Sequence, residues 1–91
     1  MLDNQRQIML IAQEECAEVT QAISKVFRFG MDAEHNGRTN KDRLTEEVGD
    51  LMCMIELMVE TNLIDSVEML QAAANKRKKL ETWSTIFKDA E

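Results

Sequence analysis

No proline interrupts this chain, and glycine occurs three times, at positions 30, 37 and 49. Helix breakers are therefore nearly absent. Aromatic residues make up 4% of the chain and there is one histidine. The two cysteines, Cys16 and Cys53, are too few and too far apart for a disulfide framework or a zinc motif. Both fall in apolar helical patterns, so reduced core thiols and a cytoplasmic setting are expected. No apolar run approaches the roughly 18 residues of a membrane-spanning helix. Asp3 and Arg6 interrupt the N-terminus, and no signal peptide is expected. A formal net charge of −6 argues against a nucleic-acid polymer as partner, because phosphate backbones require a basic surface.

What is present suits helices. The chain is rich in Glu, Lys, Leu, Ala and Met, and 44% of its 91 residues are hydrophobic. That length makes one domain, 1–91, and a chain so short buries a modest fraction of its surface. A homo-oligomer is expected on that ground alone.

Three segments have helical periodicity. The first runs from Leu2 to Phe29, with Ile8, Ile11, Ala12, Val19, Ala22, Ile23 and Val26 at three- and four-residue steps. Gly30 is its expected stop. Residues 30–41 read as a loop with a turn at Asn36-Gly37, and Thr39 or Asn40 is the expected cap of the next helix. The second helix spans Asp42 to Thr61, with a main stripe of Leu44, Val48, Leu51, Ile55 and Met58. Gly49 inside it calls for a close approach to a backbone or ligand. After a connection at Asn62 to Ile64, Asp65 and Glu68 read as a capping pair. The third helix then carries Val67, Leu70, Ala73, Ala74, Arg77 and Leu80 to about Thr82. A short helix or tail holds Trp83, Ile86 and Phe87.

The informative residues are acids where apolar side chains belong. With Ile8 at 0° on a wheel of about 100° per residue, Glu15 falls at about −20° and Glu18 at about −80°. Glu15 is thus near the centre of the apolar stripe, whereas Glu14 faces outward. With Leu44 at 0°, Glu47 falls at about −60° and Asp50 at about −120°, flanked by Met54 and Leu57. Glu46 points away. Two helices each project a pair of carboxylates at i, i+3. A solvated face is the usual explanation for such a pair, but a stripe position conflicts with it. Buried carboxylates require a cation. Lys25, Arg28 or Arg77 could serve, but a hard divalent ion suits oxygen donors better. One histidine and no ligand-spaced cysteines disfavour zinc, and the Glu-x-x-His pairs of di-iron bundles are absent. Magnesium or manganese is therefore expected at Glu15, Glu18, Glu47 and Asp50.

EECAE (14–18) followed by EVGD (47–50) resembles the EExxE…ExxD signature of the MazG-like nucleotide pyrophosphohydrolases. SKVFRFG (24–30) and TNKDRLTEEVGDL (39–51) resemble the flanking helix ends of that family, and the likeness extends from about residue 8 to 80. It implies an all-α antiparallel helical bundle, four-helix-bundle-like, completed by dimerisation or higher assembly. It also implies magnesium-dependent hydrolysis of a nucleoside triphosphate, (d)NTP, to (d)NMP and pyrophosphate. Carried over, Glu15, Glu18, Glu47 and Asp50 are the metal ligands. Glu14 has a supporting role, and Glu15 or Glu18 is the general base. Asn75, Lys76 and Lys79 in AANKRKKL (73–80) loosely match a phosphate-binding motif of the later helix.

The remaining candidates carry bland alternatives. Lys76 to Lys79 also suit a solvated helix end, where positive charge meets the helix dipole. Lys25 and Arg28 serve equally as phosphate contacts or surface charges. Phe29 reads as core, with base stacking as the alternative for a loop-side aromatic. Trp83 reads as oligomer packing, and Met52, Met54 and Met58 as core or interface filler. Two other functions stand beside the hydrolase. One is a catalytically inert helical interaction module whose acids meet a partner's Lys or Arg. The other is a phosphoribosyl-ATP pyrophosphohydrolase-like enzyme.

Overall fold

The computed structural model describes residues 1–88. It has three helices: α1 (Asp3–Phe29), α2 (Asn40–Glu60) and α3 (Ser66–Trp83). A small antiparallel hairpin, β1 (Glu34–His35) and β2 (Arg38–Thr39), joins the first two. The segment expected to be a loop is thus partly paired. Asn36 (φ 54°) and Gly37 (φ 78°) supply the two left-handed residues of a tight two-residue hairpin turn.

α1 and α2 pack against each other as an antiparallel pair. The start of α1 is tied to the end of α2 by Gln5 Nε2, which donates to the Thr61 carbonyl at 2.7 Å. At the other end, buried Asn40 donates to the carbonyls of Gly30 (2.8 Å) and Lys25 (3.4 Å). Asn40 thereby satisfies a carbonyl that the end of α1 leaves without a helical partner. Between these latches the seam holds Ala12, Ala22 and Met54, the buried apolar residues.

Thr39 caps α2. Its Oγ1 accepts from the Asp42 amide at 3.1 Å, and Asp42 Oδ2 accepts from the Thr39 amide at 3.0 Å. This reciprocal box is worth more to Asp42 ionised than protonated. The Thr39 backbone bond, then its side-chain bond, holds the Asp42 carboxyl below its ordinary value. The folded value lies below the unfolded one, so the contribution is complete above the unfolded value of 3.8 and is lost as pH falls through the folded one. Denaturation of Asp42→Asn should show it less stable than wild type at neutral pH, with the gap narrowing below pH 3.8.

α3 stands off from both α1 and α2. Asp65 caps it, accepting from the Glu68 amide at 2.8 Å. Its expected stripe, however, is mostly uncovered by the chain: Val67 and Leu70 are 70% and 65% exposed, and Leu80 is half-buried. The molecule is a flat plate of 45 × 39 × 14 Å with a radius of gyration of 16.2 Å, against about 12 Å for a compact chain of this length. It exposes 7462 Å², where a compact monomer of this mass would expose about 5,400 Å².

This openness corrects several expectations. Cys16 and Cys53 are exposed, not core. Phe29 is exposed, not core; Met52 is exposed too, which leaves the interface alternative for it, and Trp83, expected in oligomer packing, is also exposed. Met54 is buried and Met58 half-buried, as filler should be. Nothing lies within 4 Å of a Cβ built on Gly49, so no close approach within the chain explains that glycine. Gly49→Ala should therefore raise stability by about 0.5–1 kcal/mol, read from the urea midpoint. A loss instead would reveal a second backbone against this face. Among the described residues no helix is long and apolar enough to cross a membrane.

Candidate metal centre

The antiparallel seam brings the two acid pairs together at mid-length. One carboxylate oxygen from each of Glu15, Glu47 and Asp50 lies within 4.8 Å of the others. Glu15 and Glu47 are half-buried and Asp50 is exposed, in keeping with their distances from the apolar stripes. Glu18 is exposed and close enough to Glu47 for its charge to act on it. Glu14 is exposed.

The acids crowd one another. Desolvation pushes the Glu15 carboxyl above its ordinary value, and the charges of Asp50, Glu18 and Glu14 push it further. Desolvation also raises Glu47, followed by the charges of Glu18, Asp50 and Glu15. Among the described residues the one ion pair is Arg38 with Glu46, at 2.6 Å. Among the described residues no basic side chain forms an ion pair with the cluster. Converging, unneutralised carboxylates are a donor set suited to a hard divalent cation.

A narrow cleft of about 100 Å³ runs beside Glu18 and Glu47 and is lined by Lys25, Arg38, Asn40 and Arg43. A larger cleft of about 360 Å³ shares Lys25, Asn40 and Arg43 with it and adds Phe29, Ala33, Glu34 and His35. Of the expected substrate residues, Lys25 reaches both clefts. Arg28 lines neither and lies over the Phe29 ring, 5.0 Å from its centre. Asn75, Lys76 and Lys79 are exposed on α3 and line neither cleft in this chain.

Arg43 and Arg38 were not anticipated from the sequence. A signal existed for Arg43: it precedes Glu47 by four residues and Asp50 by seven, so all three share one helix face. Arg43 also braces the hairpin, donating from Nη2 to the His35 carbonyl at 3.0 Å. Arg38 is held by Glu46 and donates to the Asp42 carbonyl at 3.4 Å.

No curated protein and no solved structure matches the chain. A family model does, that of the MazG nucleotide pyrophosphohydrolase domain, over residues 3–83. That span takes in both acid pairs, the hairpin and all of α3, and the chain belongs to this MazG domain family.

Proposed function

We propose that this protein is a magnesium-dependent nucleoside triphosphate pyrophosphohydrolase, converting a (d)NTP and water to a (d)NMP and pyrophosphate. The observation that carries the reading is the convergence of Glu15, Glu47 and Asp50 beside a cation-lined cleft. Carboxylates that repel phosphate need a cation between them, and Lys25 and Arg43 stand where the phosphates would extend. Glu15, Glu47 and Asp50 would hold magnesium or manganese, which would supply charge neutralisation and orientation of the phosphates for in-line displacement.

The chain's own residues supply the rest. Glu18 lies against Glu47 but outside the tight trio, and it lines the cleft. That position suits a general base with Glu47 as its neighbour. Glu18 takes a proton from water as the water oxygen bonds to the α-phosphorus. The bond from the α-phosphorus to the α–β bridging oxygen breaks, and pyrophosphate leaves with the electron pair. Lys25 and Arg43 hold phosphate oxygens during the displacement.

We further propose that the working form is a homodimer or homotetramer. The excess of exposed surface is about 2,000 Å², more than the roughly 800 Å² per partner of a standard interface. The open stripe of α3 is then covered by another copy, which is also the route by which Asn75, Lys76 and Lys79 would reach a cleft.

Anion-exchange separation of the products tests the reaction. Monophosphate and pyrophosphate should appear together, with magnesium or manganese required. Accumulation of diphosphate with inorganic phosphate would show that the wrong bond had been assigned. Absence of cleavage across a triphosphate panel would favour the inert interaction module.

A further inference from the structure

Two clefts of unequal size share the side chains of Lys25, Asn40 and Arg43 in their linings. The one beside the acids, about 100 Å³, has no aromatic lining and is too small for a base and sugar. The one under the hairpin, about 360 Å³, falls in the lower range of small-molecule sites, about 300–1,000 Å³. Its lining is mixed: Lys25, Asn40 and Arg43 are shared with the acid-side cleft, and Phe29, Ala33, Glu34 and His35 are its own.

Phe29 is the informative residue. A phenylalanine 59% exposed at the end of a helix is costly unless something covers it. The Arg28 guanidinium lies over the ring at 5.0 Å, and Phe29 lines the cleft whereas Arg28 does not. A flat aromatic backed by a cation is a stacking platform for a heteroaromatic ring. The opposite wall is fixed. The Asn36-Gly37 turn sets the hairpin, Arg43 anchors the His35 carbonyl at 3.0 Å, and the Asn40 amide donates to the Ala33 carbonyl at 3.1 Å. An aromatic ring, a braced hairpin and two cations shared with the acid-side cleft suit a base, a sugar and a phosphate chain.

We infer that the hairpin cleft is the nucleoside subsite, with the base stacked on Phe29 and the α-phosphate directed past Lys25 and Arg43 to the acids. This rests on the proposed triphosphate reaction. It adds that residues 29–35, remote from the acid signature in sequence, decide which nucleotides are accepted. Arg28 is a positioning residue in this scheme, acting through the Phe29 ring.

The test separates nucleoside from phosphate recognition in the full-length protein. Phe29→Ala should raise KM for the triphosphate and the inhibition constant of its monophosphate product roughly 5- to 100-fold, with kcat changed little. Phe29→Trp should restore both. Inhibition by pyrophosphate, which carries no nucleoside, should be unchanged. The amide resonances of residues 33–36 should shift with nucleoside monophosphate and magnesium, but not with magnesium pyrophosphate. Equal weakening of pyrophosphate and monophosphate, or no effect of Phe29→Ala on either, would overturn the subsite. If no triphosphate is cleaved yet monophosphate still binds with these shifts, the reaction is wrong and the subsite stands.

Discussion

Alanine at Glu15, Glu47 or Asp50 is expected to lower turnover on the order of 10²–10³-fold, the scale of losing one electrostatic stabiliser of a transition state. The geometric basis is that each side chain contributes one oxygen to a triangle no wider than 4.8 Å. Removing any corner leaves too few protein oxygens to compete with water for a hard cation. The same substitutions should not weaken the metal-free fold. Glu15 and Glu47 are held above their ordinary pKa by desolvation and by the neighbouring acids, so deleting one carboxylate relieves repulsion on the rest. Activity and metal-free stability should therefore move in opposite directions. A variant that merely failed to fold would lose both. Glu14→Ala, outside the triangle and exposed, should have a much smaller effect on turnover. Pyrophosphate release at several magnesium concentrations, with circular dichroism of each variant in chelator, measures both quantities. Wild-type turnover by Asp50→Ala at ordinary magnesium would remove the metal centre from the mechanism.

Magnesium should also raise the melting temperature substantially. A ligand that binds only the folded state at 100 times its dissociation constant stabilises by about 2.7 kcal/mol. For a domain of this size each kcal/mol corresponds to about 4–8 °C, so an increase of roughly 10–20 °C is expected. The effect is larger than for a surface cation site because the metal-free state already carries the repulsion of four clustered acids. Asp50→Ala should abolish most of the shift, and Glu14→Ala should preserve it. Melting in chelator and in excess magnesium, at fixed protein concentration, gives the answer. Superimposed curves would mean that the acids do not form a preformed cation site.

Much of this was legible in one dimension. The apolar stripes of α1 and α2 placed Glu15 and Glu47 toward the seam, and both are half-buried there. Gly30, Asn36-Gly37, Thr39 and Asp65 marked a helix stop, a turn and two helix starts. These are local effects: left-handed backbone at glycine and asparagine, and side-chain oxygens capping free amides. The tight family signature added what periodicity cannot, a chemistry for the acids.

Other features depended on what each face meets. The stripe of α3 resembles the others in sequence, yet α3 stands off from α1 and α2 and most of its stripe is open. Phe29 and both cysteines sit in apolar patterns and are exposed all the same. Helical periodicity reports which side of a helix is apolar, not whether the same chain supplies the cover. The cation-lined clefts were likewise beyond the sequence, because Lys25, Phe29, His35 and Arg43 come from three elements and meet only when the hairpin folds back onto the helix pair. The sequence by itself determined the helices, their caps and the inward acids, because those follow from neighbours within a few residues. The tertiary structure alone decided which oxygens converge, which cations stand beside them and which apolar faces remain open, because each of these depends on contacts between residues far apart in the chain.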